Sequence, residues 1–345
     1  MRKMASIRRI DGVKPIQDAD AIECATVGGW QIVIKKGEFS AGDFAVYCEI
    51  DSWIPNELAP FLSKGQEPRE YNGVRGERLR TVKLRGQVSQ GLLLPLTVLT
   101  DAPENTWGNP VEYVEGDVSE ILNIQKWEAP IPAQLAGDVE GPFPSYIPKT
   151  DQERIQNLSE EFASWQESVD MPWEVSEKLD GSSMTVYFKD GKFGVCSRNW
   201  ALKETEGNSL WKQARHYNME SMLANEGNFA VQGELIGEGI QGNPYKIRGQ
   251  DFYVYDIYDI NEQRYLSPEE RRTFVERNGL KHVPVIAHNA KLHDTLGIDT
   301  IEQILKFAEG KSVLNANTER EGLVFKHNGL ASFKAISNRF LLKNG

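Results

Sequence analysis

Residues 7–126 consist mainly of short apolar runs separated by glycines. Trp30–Ile34 and Phe44–Cys48 are rich in β-branched and aromatic side chains. Runs of this length and composition, bounded by glycine, are typical of β-strands. Helical periodicity is almost absent here. The pattern therefore predicts a small all-β barrel or sandwich.

Proline is concentrated directly after this region. The stretch contains Pro130, Pro132, Pro142, Pro144 and Pro148. Proline fixes the backbone and cannot donate a ladder hydrogen bond, so such a stretch is stiff and poorly suited to a sheet. We therefore predict a linker at residues 129–149 between two domains, residues 1–128 and residues 150–345.

Helical signals appear only in the second of these domains. Thr150 and Glu153 form a capping-box pattern, and apolar residues then recur at helical spacing as far as Val169. Later helices are predicted to start after Ser267 and after Thr300. Strand-like runs lie between the helices, so this domain is predicted to be mixed α+β.

The composition is that of a globular chain. The 345 residues are 40% hydrophobic, and no apolar run reaches the roughly 18 residues of a membrane span. Cys24, Cys48 and Cys196 are scattered, which predicts reduced thiols and neither a disulfide framework nor a zinc site. We expect a soluble intracellular protein, cytoplasmic or nuclear, without a membrane partner.

A basic strip interrupts an otherwise acidic chain. The net charge is −11, which argues mildly against nucleic-acid binding. Between residues 75 and 85, however, five cations accompany the single acid Glu77, and these are Arg75, Arg78, Arg80, Lys83 and Arg85. The strip is either a nucleic-acid surface or a set of solvated charges, and composition alone leaves both open.

Candidate chemistry begins with a lysine at the end of a predicted strand. Trp173–Gly181 runs from a strand into a glycine turn, and alternation places Lys178 and Asp180 on one face. A lysine beside an acid is most often a surface ion pair. The neighbouring hairpins make another interpretation possible.

Asp190–Gly191 is the first of two hairpin signals. A two-residue turn here places Arg198 opposite Ser183, close to Lys178. An arginine beside a lysine and an acid suits an anionic phosphate.

Asn328–Gly329 is the second signal. A two-residue turn there places Lys334 opposite Leu323, on the face shared with Glu321, whereas Lys326 pairs with Ala331 on the other face. We therefore favour Glu321 and Lys334 over Lys326 as site residues.

Six motifs together resemble the ordered motif series of covalent nucleotidyltransferases, and of RNA ligases in particular. They are Lys178–Gly181, Ser197–Asn199, Gly233–Leu235, Phe252–Asp256, Glu321–Lys326 and Phe333–Lys334. Leu79–Gln87 and Ser89–Leu92 resemble the OB module of the nick-sealing branch, often called the fifth RNA-ligase family. One departure is Ser332, where this family commonly has a lysine.

The resemblance implies an α+β protein. An N-terminal all-β OB-like barrel, the nucleic-acid-binding module, would precede an adenylyltransferase domain, an ATP-grasp-like ligase fold of antiparallel sheets with flanking helices. The implied activity is ATP-dependent RNA ligation, joining 3′-OH and 5′-phosphate ends at nicks with an RNA 3′-OH strand. It would proceed through lysyl-AMP and a 5′-adenylated polynucleotide, with ATP as co-substrate and Mg²⁺ or Mn²⁺ as cofactor.

The resemblance also implies the nucleotide contacts. Tyr255 would stack on adenine, and Glu234 would accept a hydrogen bond from a ribose hydroxyl. Arg198 would hold the sugar and phosphate. Lys334 would bind the α-phosphate or the leaving pyrophosphate, and Lys326 could assist it.

Lys178 would be the nucleophile, and Asp180 and Glu321 would hold the metal. An OB module suits nucleic acid, so the basic strip would hold the nicked RNA-containing duplex. We expect a monomer.

Two other classes compete with this interpretation. A catalytically silent nucleic-acid-binding protein could retain the fold. Against this class stands the joint retention of Lys178, Arg198, Glu234, Glu321 and Lys334. A DNA ligase or capping enzyme shares the lysine chemistry but normally carries its OB module after the catalytic domain. Only nine residues follow Ile336, so we do not expect that arrangement.

Overall fold

The computed structural model describes residues 3–99, 116–128, 137–167, 171–327 and 331–344. The chain divides into two compact units, residues 1–130 with 341–345 and residues 131–340. Each unit is described by itself below.

The first unit is built from short antiparallel strands, as the sequence predicts. Their bounds are β1 Ala5–Arg9, β2 Gly12–Pro15, β3 Ile22–Val27, β4 Trp30–Lys35, β5 Phe44–Cys48, β6 Ser52–Pro55, β7 Arg69–Tyr71, β8 Val74–Arg78, β9 Val82–Leu84, β10 Gln87–Ser89, β11 Leu92–Leu94 and β12 Gln125–Lys126. The strand orders are β1-β5-β11, β2-β3-β4 and β12-β6-β8-β7, and β9 and β10 form a separate hairpin.

Alternation explains the core of this unit. Trp30, Ile32 and Ile34 are buried on one face of β4 and pack with Tyr47, while Gln31 and Val33 are only half-buried. A side-chain period of two is what a strand with one buried face requires.

Two antiparallel sheets and six described helices form the second unit and the chain's C-terminal end. The strands are β13 Val139–Pro142, β14 Trp173–Lys178, β15 Ser182–Lys189, β16 Lys192–Cys196, β17 Trp200–Leu202, β18 Phe229–Gly237, β19 Gln250–Asp259, β20 Arg264–Tyr265, β21 Lys281–His282, β22 Val285–Ala290, β23 Gly322–His327 and β24 Ala331–Ile336. The helices are α1 Ser159–Glu167, α2 Ser209–His216, α3 Met219–Glu226, α4 Pro268–Arg277, α5 Ile301–Ala308 and α6 Asn338–Asn344. Over the ranges described, no helix is long and apolar enough to cross a membrane.

The larger sheet has the order β13-β17-β16-β15-β18-β19-β20, with β21 parallel to β19. The smaller sheet has the order β22-β14-β23-β24. The α+β prediction is thus confirmed. The predicted caps of two helices are also confirmed, because Ser267 and Thr300 each form a complete capping box.

The first predicted hairpin is also confirmed. Lys189 pairs with Lys192, and the two turn residues Asp190 and Gly191 have φ of 49° and 83°. Positive φ at both central positions is what a type I′ turn requires.

The predicted helix start at Thr150 is wrong. The α-helix begins only at Ser159, after a 3₁₀ turn at Ile155–Asn157. Instead of capping a helix, the Glu153 carboxylate accepts hydrogen bonds from the backbone N–H of Arg154 and from Asn157, and its carbonyl accepts from Lys334. Tertiary pairing with β24 has overridden a local helix signal.

Part of the predicted linker is also paired. Val139–Pro142 forms an edge strand with Trp200–Leu202. Proline is tolerated at a strand end or edge, where no ladder donor is needed. Residues 129–136 of the predicted linker lie outside the described residues.

The predicted register of the second hairpin is wrong by one residue. His327 pairs with Ala331, Lys326 with Ser332 and Val324 with Lys334. Three residues therefore separate the strands where two were expected, and the predicted turn Asn328–Gly329 lies outside the described residues. A slip of this size changes which side chains lie opposite each other across the hairpin.

Candidate active site

Lys178 is the last residue of β14, in the middle of the smaller sheet. Glu174, Ser176 and Lys178 share one face of this strand, and Lys178 lies opposite Gly322 of β23. The chain then turns at Gly181, where a Cβ atom would lie 2.4 Å from the Leu235 carbonyl oxygen. Only glycine permits this approach. The approach brings the Lys178 turn against β18, which carries Glu234.

The amine of Lys178 lies 2.8 Å from a carboxylate oxygen of Glu321. The two side chains are 29% and 15% exposed. Glu321 immediately precedes β23 and its carbonyl accepts a hydrogen bond from Ser337 at 2.8 Å. Its neighbour Arg320 donates to the carbonyls of Phe307 and Glu309, at 2.6 and 2.7 Å, at the end of α5. The Glu321 backbone is therefore held from two sides.

Three carboxylates determine the charge of Lys178. Burial lowers the pKa of its amine, but Glu321, Glu234 and Asp180 outweigh burial and raise the pKa above its ordinary value. In the ligand-free protein Lys178 is consequently an ammonium ion.

Two of these carboxyl groups are strongly perturbed themselves. Burial, and then the charge of Glu321, raise the pKa of Asp180 to about 6. Burial raises the pKa of Glu234 to about 8, despite the opposing effect of Lys178. Acids crowded into a partly buried site are typical of functional positions.

Asp180 and Glu321 fit a divalent cation. The charge of Glu321 disfavours the ionised form of Asp180, and a cation between the two carboxyl groups would relieve this effect. Hard cations also prefer carboxylate oxygens. Within the described residues, no group of three or more His, Cys, Asp or Glu side chains is arranged to hold a metal ion. A pair of carboxylates suits a cation such as Mg²⁺, which commonly binds one or two carboxylates and keeps several waters.

Tyr255 faces this site from the larger sheet. Gln232 pairs with Asp256 and Gly233 with Val254, so Tyr255 is an extra residue in β19 and forms a β-bulge. Its hydroxyl lies 3.3 Å from that of Ser183, which lies 3.2 Å from the hydroxyl of Thr150. A second tyrosine anchors the turn itself, because the hydroxyl of Tyr245 accepts a hydrogen bond from the Asp180 backbone at 2.6 Å.

Arg198 does not occupy the predicted position opposite Ser183. β16 pairs only as far as Cys196, and Ser183 pairs with Glu234 of β18. Arg198 lies in the loop beyond and donates to both carboxylate oxygens of Asp151, at 2.7 and 2.6 Å. Both partners are about half exposed, at 50% and 47%.

Lys326 and Lys334 lie on the same face of the smaller sheet as Lys178. The pairing of β14 with β23 places Lys326 there, and the shifted hairpin register adds Lys334. Lys326 pairs with Glu174 on one side and with Ser332 on the other. Its amine lies 2.7 Å from Asp256 and donates to the Tyr255 carbonyl at 2.5 Å. Burial lowers the pKa of this amine to about 8.

Comparison with known proteins places this geometry in a family. The family model described as RNA ligase matches residues 171–337, and an OB-fold domain model matches residues 4–96. A mutant of Naegleria gruberi RNA ligase with AMP and Mn has 48% sequence identity over 99% of each chain and a TM-score of 0.88. The chain belongs to the RNA ligase family.

Other structures of the same relative are similar to this chain to the same degree. A mutant with ATP and Mn is 48% identical over 99% of each chain, with a TM-score of 0.87. The ligase with PPi is 49% identical over 100% of this chain and 99% of the other, with a TM-score of 0.86. The comparison with curated proteins found no match. The predicted RNA ligase fold, with its N-terminal OB module, is therefore confirmed.

The basic strip of the ligase spans β8 and the β9–β10 hairpin. Arg75 is ion-paired with Glu67, and Arg78 lies 2.6 Å from Asp51 with its guanidinium 4.0 Å from the Trp127 ring centroid. Lys83 and Arg85 lie on the exposed β9–β10 hairpin, whose turn is formed by Arg85 and Gly86. Arg80 lies between β8 and β9. The sequence does not reveal that Arg75 and Arg78 are held by acids.

Sequence reasoning also missed residues that complete the site. Asp151 and Tyr245 lie in none of the six motifs. Asp151 is paired with Arg198, and Tyr245 binds the backbone of Asp180, each far away in the chain. Tyr245 does follow Asn243–Pro244, a turn signal, and the turn brings its hydroxyl to Asp180. Such long-range hydrogen bonds have no local signature.

Proposed function

We propose that this RNA ligase is ATP-dependent, forms lysyl-AMP on Lys178, and joins 3′-OH and 5′-phosphate ends at nicks with an RNA 3′-OH strand. One observation carries the proposal. The Lys178 amine lies among Glu321, Glu234 and Asp180, with Tyr255 opposite on the neighbouring sheet. This arrangement occurs in a chain 48% identical to a ligase whose structures are described with AMP, ATP and Mn.

The proposed domains have the bounds that the sequence predicts. Residues 1–128 would bind nucleic acid through the OB module, and residues 150–345 would carry out adenylyl transfer. The ligase would act as a monomer.

The nucleotide would contact both sheets. Tyr255 would stack on adenine, since its bulge turns the side chain toward the site, and Glu234 would accept a ribose hydroxyl hydrogen bond. A protonated carboxyl group keeps an acceptor oxygen, so its raised pKa does not prevent this contact. Arg198 would bind the sugar and phosphate, and Lys334 the α-phosphate or the leaving pyrophosphate. Lys326 would contribute to cofactor binding.

The chemical step requires Lys178 to lose its proton. The free amine then attacks the α-phosphorus of ATP, a P–N bond forms, and the P–O bond to pyrophosphate breaks in line with it. The surplus amine proton goes to solvent. A divalent cation held by Asp180 and Glu321 would supply positive charge that neutralises these carboxylates and the phosphate oxygens. Arg198 and Lys334 add positive charge, which favours the neutral amine.

AMP would then pass to a 5′-phosphate, and the 3′-OH would displace it. The candidates for holding the nicked duplex are Arg75, Arg78, Arg80, Lys83 and Arg85. Neutralising Arg80, Lys83 and Arg85 together should weaken sealing and reduce its salt dependence. An unchanged salt dependence would remove the strip from the proposal.

Incubation with labelled ATP tests the central step. Wild-type protein should acquire an acid-labile AMP on Lys178, and Lys178→Met should not. Lys189→Met is a matched control, because that lysine lies beside a hairpin turn and is paired with Asp190. Absence of label on wild type would favour the alternative, a nucleic-acid-binding protein that retains the ligase fold.

A nicked duplex with RNA or DNA on each side of the break tests the substrate. Sealing should require RNA on the 3′-OH strand and tolerate DNA on the 5′-phosphate strand. Equal sealing of an all-DNA nick would instead favour a DNA ligase.

A further inference from the structure

The β-bulge in β19 has a support that comes from the other sheet. Tyr255 has no residue opposite it on β18, since Gln232 pairs with Asp256 and Gly233 with Val254. A bulge changes the direction of a side chain, and an extra residue disrupts the local ladder. Something outside the ladder must hold this backbone.

The Lys326 amine is placed to do so. It donates to the Tyr255 carbonyl at 2.5 Å and lies 2.7 Å from the Asp256 carboxylate, so it binds both residues at the bulge. An ammonium group has three donors, which allows both contacts at once. The Lys326 side chain is 8% exposed, so these contacts lie in the protein interior.

Further buried charges surround this contact. Arg271 of α4 is 2% exposed, is ion-paired with Glu174, and lies 3.5 Å from Asp256. Its Nε donates to Nε2 of His282 at 3.0 Å. Burial lowers the pKa of His282 to about 3, so the ring is neutral and able to accept. Glu174 of the smaller sheet and Asp256 of the larger sheet thus both contact Arg271 of α4.

Lys326 is also remote from the reacting lysine. It lies four residues along β23 from Gly322, the partner of Lys178, which corresponds to about 13 Å. Along the strands, Lys334 lies nearer to the level of Lys178, opposite Val324, although it is on β24, one strand further from β14. The two lysines therefore occupy different positions relative to the nucleophile.

We propose that Lys326 is a positioning residue that holds the Tyr255 bulge and thereby directs the Tyr255 ring at the adenine base. The inference rests on the proposed function. It replaces a direct phosphate contact by Lys326 with an indirect role through the backbone of β19. Lys334 retains the role of phosphate ligand.

Binding of two separate probes to the full chain tests this role. Adenosine reports the base site and inorganic pyrophosphate reports the phosphate site, without turnover. Lys326→Met should weaken adenosine binding at least tenfold and change pyrophosphate binding less than twofold. Lys334→Met is the matched control and should show the opposite pattern. A loss of pyrophosphate affinity in Lys326→Met as large as the loss for adenosine would overturn the role.

A double variant gives an independent test. If Lys326 acts through Tyr255, Lys326→Met should change adenosine binding less than twofold in the Tyr255→Ala background. A full tenfold loss there would mean that Lys326 acts by another route. General loosening of the fold would weaken both probes alike, so it cannot produce the expected selectivity.

Asp256→Asn covers the case in which Lys326→Met fails to fold. It keeps the shape of the side chain and weakens the anchor of the Lys326 amine. It should again weaken adenosine selectively, and an unselective or absent effect would overturn the role. If wild-type protein forms lysyl-AMP but these variants do not weaken adenosine binding more than pyrophosphate binding, only the positioning role is contradicted. Wild-type protein that neither binds adenosine nor forms lysyl-AMP would contradict the proposed function as well.

Discussion

The ion pair between Lys178 and Glu321 holds the nucleophile in place but in the wrong charge state. The amine lies 2.8 Å from the carboxylate, and that contact helps to raise the lysine pKa above its ordinary value. A lysine attacks phosphorus only as the free amine. Positioning and activation are therefore separate events at this site.

Glu321→Gln should separate these events. Removing the Glu321 charge lowers the Lys178 pKa, so a larger fraction of Lys178 is the free amine at pH 8. An uncharged reagent that acylates free amines should therefore modify Lys178 severalfold faster, in the absence of nucleotide. AMP transfer from ATP should nevertheless fall about a hundredfold or more, because a proposed metal ligand is lost. Peptide mass spectrometry measures both modifications at the same residue. Slower acylation in the variant would contradict the charge argument. Glu319→Gln, two residues earlier in the chain, is the control, because Glu319 is ion-paired with Lys311.

The pH dependence of adenylylation should reflect Asp180. Its pKa is raised to about 6, and the ionised form is the one proposed to hold the metal. The carboxylate is lost as pH falls through that value, so kcat/KM for ATP should fall up to tenfold per unit below about pH 6. This ratio reports the free enzyme, whose pKa values apply here.

Asp180→Asn provides the comparison for this profile. It should be slower at every pH and should lack the inflection near pH 6. An inflection that persists unchanged in Asp180→Asn would assign it to another group.

Glu234 should make the folded protein less stable as pH rises. Its folded pKa is about 8, above its ordinary 4.5, so between these values the folded state binds the extra proton. The stability that this extra proton contributes is fully present below about pH 4.5 and is lost as pH rises toward 8. Glu234→Gln removes this loss, which is on the order of a few kcal/mol. The Tm difference between variant and wild type should grow steadily from pH 5 to pH 8.

Exposed Glu160 of α1 is the control for this experiment. Glu160→Gln should show a Tm difference that stays constant over the same range. A constant difference for Glu234→Gln as well would mean that its carboxyl group is not perturbed by the fold.

Local chemistry accounts for the parts of this structure that the sequence predicts correctly. The alternation in β4, the capping boxes at Ser267 and Thr300, and the Asp190–Gly191 turn depend only on residues within about four positions. The motif series around Lys178 is equally local, and it was enough to identify the family.

Errors arose where distant segments compete with local signals. The Thr150 pattern favours a helix, yet β24 draws Glu153 into backbone pairing. Lys334 was predicted opposite Leu323, but the hairpin register is shifted by one residue and places it opposite Val324, on the same face as Lys326. The bulge at Tyr255 and the Arg198–Asp151 pair have no local sequence signal at all. The site was therefore predictable by residue type, while its geometry depends on contacts between segments.

The aromatic stack behind β23 and β24 should dominate the stability of the smaller sheet. Phe325 and Phe333 are fully buried, with ring centroids 4.6 Å apart and an interplanar angle of 14°. Phe333 also lies 5.1 Å from Trp173 and 5.7 Å from Trp165. Phe333→Ala removes all three ring contacts and leaves a cavity, so it should cost about 3–5 kcal/mol.

Chemical denaturation followed by tryptophan fluorescence measures this effect, because two tryptophans contact the substituted ring. Phe61→Ala is a matched control, since that ring is 62% exposed, and it should change stability by less than about 0.5 kcal/mol. Because β24 also carries Lys334, Phe333→Ala should weaken pyrophosphate binding at temperatures well below its transition. If Phe333→Ala and Phe61→Ala changed the free energy of unfolding by the same small amount, the aromatic stack would not be what orders β24.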